Sequence, residues 1–134
     1  MPEPQTLSGV RVLLVDDDED TREIIERVLA RRGAHVVAAA SAPLGLEAFG
    51  REEFDVLLVD IMMPGMDGYE FMRRIRARPP EQGGRVPAAT LTARAVTDDR
   101  VESLRAGFQS HLAKPIEPAD LVELVATLAG RPKS

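Results

Sequence analysis

The sequence has no cysteine, no tryptophan and a single tyrosine. Without cysteine, nothing indicates an oxidising compartment, and the chain offers no thiol nucleophile and no zinc–thiolate site. With so few aromatic residues, it lacks platforms on which single-stranded nucleic acids stack. No apolar run reaches the ~18 residues that a membrane-spanning helix requires. The first nine residues also lack the basic start and apolar centre of a signal peptide. We therefore expect a cytoplasmic protein without a membrane partner.

Acidic residues exceed basic ones, 22 to 17, and the net charge of -5 argues against a nucleic-acid surface. The acids are unevenly spread, because residues 16–20 form one block, DDDED. Such a block alone is commonly the solvated start of a helix. Asp16, Asp18 and Asp20 fit positions one, three and five of an EF-hand calcium loop. However, Thr21 stands where that loop needs glycine and Arg27 where it needs a bidentate glutamate, which excludes an EF-hand.

Short apolar runs alternate with amphipathic stretches five times along the chain. Such runs between amphipathic helices predict a parallel sheet covered on both faces. With right-handed crossovers, the fold class is α/β, a three-layer doubly wound (βα)5 sandwich. The runs that we assign as strands are 10–15, 36–37, 56–59, 88–91 and about 110–113.

Polar residues follow four of these five predicted strands. Asp16 and Asp17 follow the first, and Asp60, Thr92 and Lys114 end the third, fourth and fifth. The carboxyl ends of parallel strands lie at the same edge of a sheet, where ligands bind in doubly wound folds. We therefore expect three carboxylates, a hydroxyl and an ammonium to meet there.

This set of groups indicates phosphoryl transfer. Clustered carboxylates repel one another unless a cation neutralises them, and Mg²⁺ prefers oxygen ligands. The cation, the Lys114 ammonium and the Thr92 hydroxyl can each bind one oxygen of a transferring phosphoryl group, while Asp60 attacks and forms an acyl phosphate. Taken singly, Asp60 resembles a turn residue, Thr92 a strand residue and Lys114 a surface lysine. Their joint occurrence at separate strand ends is improbable by chance.

Over residues 10–128 the sequence closely resembles the CheY-like response regulator receiver family. The shared motifs are LVDD at 14–17, DIMMPGMDG at 60–68, LTA at 91–93 and KP at 114–115. The resemblance implies a flavodoxin-like parallel sheet with strand order 2-1-3-4-5. We expect the receiver domain to span residues 10–129, with a flexible or disordered segment over 1–9 and a tail over 130–134.

The resemblance also assigns roles at the predicted magnesium site. Asp60 corresponds to the phosphoacceptor and is itself a metal ligand. Asp17 matches the direct ligand of Mg²⁺ (or Mn²⁺), and Asp16 matches its neighbour, which acts largely through metal-bound water. The backbone carbonyl of Met62 matches the third protein ligand.

Further roles follow for the fourth and fifth strands. Thr92 matches the hydroxyl that moves to bond the phosphoryl group, and Lys114 matches the lysine that pairs with that group. The peptide bond between Lys114 and Pro115 is expected to be cis. His111 occupies the position of the switch residue, where the family mostly has tyrosine or phenylalanine. A histidine there is smaller and titratable, and as an alternative it is simply an exposed strand residue.

The expected phosphodonor is a phosphohistidine on a histidine kinase or a histidine phosphotransfer domain. Output to a downstream partner or a second copy is expected through residues 97–129. The segment 116–120, IEPAD, resembles receivers at the end of hybrid histidine kinases. The chain is therefore expected to be either a stand-alone receiver or a piece of a hybrid sensor. Met62 and Arg94 occupy positions that tune dephosphorylation in the family.

Two other functions compete with this interpretation. A haloacid-dehalogenase-like phosphatase also uses an aspartyl phosphate, and Asp16 and Asp18 fit its Asp-x-Asp pair, but Asp20 stands where that motif needs threonine. The other alternative is a receiver-like interaction module that is never phosphorylated. Our expectation is a signalling domain that is not an enzyme beyond its own phosphotransfer and dephosphorylation.

Overall fold

Five short parallel strands form one sheet between two layers of helices. The computed structural model describes residues 6–92 and 97–131, with side chains described for 6–92 and 101–131. The strands are β1 Arg11–Val15, β2 His35–Ala39, β3 Val56–Asp60, β4 Ala88–Thr92 and β5 Ser110–Ala113. The helices are α1 Glu19–Ala30, α2 Ala42–Arg51, α3 Gly68–Arg76, α4 Thr97–Ala106 and α5 Pro118–Leu128, with a short 3-10 turn at Pro80–Gln82.

The strand order is β2-β1-β3-β4-β5, and every pair of neighbours is parallel. This confirms the predicted order 2-1-3-4-5. The register aligns the carboxyl ends, because Val15 pairs with both Ala39 and Val59, and Thr92 pairs with Ala113. The chain reverses its direction of winding between β1 and β3, so the switch point of the sheet lies where these two strands end.

Alternating strand residues supply two separate hydrophobic clusters, one on each face of the sheet. Leu13 and Val15 of β1 pack in the cluster that contains residues of α2 and α3. Val12 and Leu14 pack on the opposite face with α1 and α5. Strands that are apolar on both faces need helices on both sides, and this confirms the predicted three-layer α/β sandwich.

The helices that follow β2 and β3 have side-chain caps at their amino termini. Ser41 accepts a hydrogen bond from the backbone N–H of Leu44 at 3.3 Å. Asp67 accepts one from the N–H of Glu70 at 2.9 Å. These bonds satisfy backbone donors that the first turn leaves unpaired. Within the described residues, no helix has the combination of length and apolar character that crossing a membrane requires.

The expected flexible segment over residues 1–9 needs correction for its second half. Leu7 has no exposed surface and belongs to the cluster beneath α1 and α5. Its N–H donates to the carbonyl of Arg32 at 2.7 Å. The guanidinium of Arg131 donates to the carbonyl of Ser8 at 2.8 Å. Residues 6–9 therefore pack with the domain, because the burial of Leu7 and these hydrogen bonds together oppose the cost of ordering the segment. Residues 1–5 and 132–134 lie outside the described residues.

Candidate functional site

The carboxylate of Asp16 lies at the end of β1 with no exposed surface. Its Oδ1 accepts a hydrogen bond from the N–H of Asp18 at 2.9 Å. Its backbone carbonyl accepts one from the guanidinium of Arg22 at 2.8 Å, and its N–H donates to the carbonyl of Ala39 at 3.1 Å. These contacts hold the turn that leads from β1 into α1, and so they fix the direction of the Asp16 side chain.

Asp16, Asp17 and Asp60 form an acidic cluster at the carboxyl ends of β1 and β3. Each residue contributes one carboxylate oxygen, and these three oxygens lie within 4.8 Å of one another. Asp16 and Asp60 are buried, whereas Asp17 is exposed at the mouth of the cluster. Three converging carboxylate oxygens with access to solvent suit a hard divalent cation such as Mg²⁺, which keeps several waters in its coordination shell.

Lys114 places its ammonium between the two buried carboxylates. Nζ lies 2.9 Å from Oδ2 of Asp16 and 3.8 Å from Oδ2 of Asp60. The backbone also connects Lys114 to the neighbouring strand, because its N–H donates to the carbonyl of Thr92 at 2.6 Å. The following peptide bond, to Pro115, is cis. The site thus contains a fixed positive charge next to Asp60 even without a metal ion.

The pKa of the Asp60 carboxyl is raised from its ordinary value of 3.8 to about 7. The main cause is burial, which penalises the charged form, and the second is the negative charge of Asp16. The Lys114 ammonium lowers the pKa and so opposes both effects. The N–H of Met62 donates to Oδ1 of Asp60 at 3.3 Å, and this bond also lowers the pKa of Asp60. Ionised Asp60 is therefore costly unless a further cation approaches.

The hydroxyl of Thr92 is buried and has no hydrogen-bond partner among the described residues. It stands at the end of β4, one residue beyond Leu91, which pairs in register with Asp60. A buried polar group without a partner costs about 1–3 kcal/mol. Because this hydroxyl lies at the edge of the acidic cluster, a ligand bound there could supply its hydrogen bond. The residues present therefore fit both a divalent cation and an anion beside Asp60.

The structure brings together Asp16, Asp17, Asp60 and Lys114, with Thr92 beside them. His111 is half-buried on β5, and its register partner is Thr90, whereas Thr92 pairs with Ala113. The Met62 side chain is 82% exposed, and the contact described for its backbone is the bond from its N–H to Asp60. Arg94 lies outside the described residues, so its predicted influence on dephosphorylation stays a prediction.

Several supporting contacts were not predicted from the sequence. Thr21 donates to Oδ2 of Asp18 at 2.6 Å, and this bond is the main reason why the pKa of Asp18 is lowered. Arg22 binds the backbone of Asp16, as described above. A threonine and an arginine three and four residues after an aspartate are ordinary helix-start spacings. Nothing in the pattern distinguishes these two from solvated residues of the first turn.

Gly68 allows the loop after β3 to return close to the phosphoacceptor candidate. A Cβ at this position would lie 2.4 Å from the carbonyl oxygen of Asp60 and 2.9 Å from Cα of Ile61. The N–H of Gly68 donates to the carbonyl of Ile61 at 3.0 Å. α3 therefore begins directly against the backbone of Asp60, and only glycine fits this approach.

Comparisons with known proteins agree with this geometry. A family model described as the response regulator receiver domain matches residues 12–126. A Leptolyngbya boryana protein, named "uncharacterized 14.6 kDa protein in sodA1 3′ region", is 42% identical over 90% of this chain and 91% of its own length. Response regulator protein FleR of Pseudomonas aeruginosa is 39% identical over 88% of this chain.

That last match covers 24% of FleR, and the chain spans less than half the length of several further curated relatives. Among solved structures, the receiver domain of sensor histidine kinase PA1611 from Pseudomonas aeruginosa carries a magnesium ion in its active-site cleft. It matches with a TM-score of 0.82 and 36% identity, covering 92% of this chain and 99% of that one.

Proposed function

This chain belongs to the response regulator receiver domain family of two-component signalling, and we propose that it accepts a phosphoryl group from a phosphohistidine onto Asp60. The observation that carries the proposal is the meeting of Asp60 with two further carboxylates and the Lys114 ammonium. A receiver domain is a signalling domain rather than a classical enzyme. Its own phosphotransfer and dephosphorylation would be its only reactions.

The acidic cluster is proposed to hold Mg²⁺, or Mn²⁺ in its place. Asp17 and Asp60 would be direct ligands together with the backbone carbonyl of Met62, and Asp16 would act largely through water. When bound, the cation would neutralise the clustered carboxylates and stabilise negative charge on the oxygens of the transferring group. The magnesium ion in the PA1611 receiver supports this assignment.

In the proposed reaction, Asp60 is the nucleophile. One of its carboxylate oxygens forms a bond to phosphorus while the bond from phosphorus to the donor's imidazole nitrogen breaks. The electron pair of that broken bond stays on the donor imidazole, and the product is an acyl phosphate on Asp60. Asp60 must be ionised to attack, and Lys114 already favours its ionised form.

Lys114 and Thr92 would bind the oxygens of the phosphoryl group. The ammonium Nζ, 3.8 Å from Asp60, is close enough to pair with a group attached there. The hydroxyl of Thr92, which has no hydrogen-bond partner among the described residues, would gain one by moving toward the same group. Preorganised positive charge and donors of this kind stabilise the transition state because they need little reorganisation.

Phosphorylation would add a charge of about -1.5 to -2 at Asp60. The state with Thr92 drawn toward the phosphoryl group would then be favoured, and His111 would turn inward behind it. This is a population shift between two packings of one fold. The output surface is proposed to include residues 97–129, where a downstream partner or a second copy would bind.

The proposed phosphodonor is a histidine kinase or a histidine phosphotransfer domain, which places the reaction in the cytoplasm. The chain would act either alone or as the receiver of a hybrid sensor. The Leptolyngbya boryana relative, which this chain covers almost completely, supports the first arrangement. The PA1611 receiver, which comes from a sensor histidine kinase, supports the second. Neither a nucleic acid nor a membrane is part of this proposal.

The proposal is tested by exposing the protein to a small phosphoramidate with Mg²⁺ and recording its intact mass. The wild-type chain should gain one phosphoryl group, whereas Asp60→Asn and the wild type with a chelator should gain none. Asp120→Asn is a matched control, because Asp120 is an exposed aspartate in the first turn of α5. An unmodified wild-type mass with folded protein would support the interaction-module alternative. Continued release of inorganic phosphate from a simple phosphate ester would support the phosphatase alternative.

A further inference from the structure

A second hydroxyl on β4 is buried without a hydrogen-bond partner among the described residues. Thr90 has no exposed surface, and its Oγ1 is unpaired in the same way as that of Thr92. Side chains two residues apart on a strand project from the same face, so the two threonines point to one side of β4. The proposed reaction uses Thr92 but gives Thr90 no role. A buried hydroxyl without a partner is costly and needs an explanation.

His111 is the residue directly opposite Thr90. The two are register partners in the parallel β4–β5 pair, which places their side chains on the same face of the sheet. Adjacent strands lie roughly 5 Å apart, within reach of a histidine side chain. His111 is half-buried in this structure, so an inward rotation would bring its ring over β4. Unlike a phenylalanine ring, an imidazole can donate or accept a hydrogen bond there.

We propose that Thr90 is a positioning residue for the switch: when His111 turns inward, an imidazole N–H donates a hydrogen bond to Oγ1 of Thr90. The inference rests on the proposed function, because phosphorylation of Asp60 is what would favour the inward position. It explains why the buried hydroxyl and the unusual switch histidine occur at register positions of neighbouring strands. The pair replaces the apolar packing that an aromatic switch residue would use.

The hydroxyl of Thr90 affects both the resting state and the switched state, in which His111 has turned inward. With His111 in its present position, Oγ1 of Thr90 has no partner within the described part of the chain, which disfavours this state. In the switched state, the same hydroxyl is satisfied by the imidazole. Replacing Thr90 by valine keeps the shape but removes the hydroxyl. The change should therefore stabilise the resting protein against unfolding and weaken switching, two effects that simple damage to the core would not produce together.

The first test observes the imidazole directly. The chain has two histidines, so nitrogen-15 NMR of the rings gives one reporter, His111, and one internal control, His35. Beryllofluoride with Mg²⁺ serves as the probe for the phosphoryl group. We expect it to shift the His111 ring signals and to leave those of His35 in place. Thr90→Ser should keep the His111 shift, and Thr90→Val should lose it. An identical His111 response in Thr90→Val and in the wild type would overturn the proposal.

The second test is a double-mutant cycle on the apparent affinity for beryllofluoride with Mg²⁺. Thr90→Val should weaken this affinity about three- to tenfold, the equivalent of one net hydrogen bond. In a His111→Phe background the same change should have almost no effect, because the imidazole is absent. An equal loss in both backgrounds would mean that Thr90 acts only through packing, and the inference would be wrong.

These outcomes separate the inference from the function on which it rests. Failure of the folded wild type to bind the probe with Mg²⁺ would contradict the function of Asp60 and remove the basis of the inference. Normal binding by the wild type, with no response of the His111 ring, would leave the phosphoacceptor function of Asp60 intact and overturn the switch roles of His111 and Thr90.

Discussion

The ammonium of Lys114 forms an ion pair with the fully buried carboxylate of Asp16, at 2.9 Å from Oδ2. The distance from the same ammonium to Asp60 is longer, 3.8 Å. Lys114 is thus a closer ion-pair partner of Asp16 than of Asp60. The lysine proposed to bind the phosphoryl group also stabilises the site before any ligand arrives.

Lys114→Ala should therefore destabilise the metal-free protein. Removing the ammonium leaves Asp16 as a buried charge without its partner. The free energy of unfolding should fall by about 3 kcal/mol, the lower end for a broken buried pair because Lys114 is partly exposed. Excess Mg²⁺ should restore part of this loss, since a cation can take over the neutralisation. Urea unfolding with and without Mg²⁺ measures both effects. In an Asp16→Asn background the same substitution should cost much less, and an undiminished cost there would show that the ion pair is not the cause.

Asp60→Asn should stabilise the metal-free protein at neutral pH. The folded-state pKa of Asp60, about 7, lies above its ordinary value of 3.8, so the folded protein binds the proton more tightly than the unfolded chain. The wild type consequently loses stability as the pH rises from about 4 to about 7. The full shift is equivalent to about 4 kcal/mol, which solvent screening at the open mouth of the cluster reduces to about 2 kcal/mol. Asparagine cannot ionise and should not show the loss.

The measurement is urea unfolding of both proteins in chelator, at about pH 5 and about pH 8. The difference in unfolding free energy between Asp60→Asn and the wild type should grow with pH. A constant difference would mean that Asp60 titrates normally in the folded protein. Asp120→Asn, at an exposed position, should follow the wild type at both pH values.

Mg²⁺ should raise the melting temperature of the wild type, and Asp17→Asn should lose most of this gain. A ligand that binds only the folded state stabilises it by about 1.4 kcal/mol at tenfold its dissociation constant. Asp17 is the exposed member of the cluster, so its substitution should change metal binding with little effect on the metal-free fold. Asp20→Asn, in the same acidic block, is the matched control. Equal Mg²⁺ dependence in the wild type and in Asp17→Asn would exclude Asp17 as a ligand.

Gly68→Ala should destabilise the protein by about 2 kcal/mol or more, although alanine favours helices over glycine by about 1 kcal/mol. The new methyl group would lie 2.4 Å from the carbonyl oxygen of Asp60, and either the start of α3 or the end of β3 must then move. The rate of phosphorylation from a phosphoramidate should fall in the same variant.

Gly50→Ala provides the opposite control for this substitution. Gly50 lies inside α2, and apart from its chain neighbours and its own helix backbone no described residue has an atom within 4 Å of where a Cβ would lie. The same change should be stabilising at this position, by about 0.5–1 kcal/mol. Urea unfolding of the two variants together checks the predicted opposite signs, and a stabilised Gly68→Ala would contradict the close approach.

The fold and the edge that bears the site could be predicted because they depend on patterns that the sequence displays. Each apolar run that ends at Asp60 or at Thr92 identifies a strand. Because the strands are parallel, it also shows that the polar residue lies at the carboxyl edge of the sheet. Leu7 was missed because a single apolar residue within a polar segment has no periodicity. Its burial depends on the hydrophobic cluster that residues of β1, α1 and α5 form, which exists only after the sheet has formed.

Two properties of the site depend on geometry that sequence patterns do not encode. Whether Lys114 lies closer to Asp16 or to Asp60 depends on side-chain conformation and on the separation of β1 and β5 across the sheet. The pairing of Thr90 with His111 depends on strand register, which one residue of slippage would change. Thr90 is also indistinguishable by type from any β-branched strand residue, so the sequence gives no sign that its hydroxyl is unpaired.

The contact between Arg131 and the backbone of Ser8 has a consequence for protein engineering. It brings the first and last described segments side by side, at the end of the sheet away from the acidic cluster. A short flexible linker could therefore join residue 131 to residue 6, and new termini could be opened in a surface turn. Such a circular permutant should keep the strand order and the acidic cluster intact.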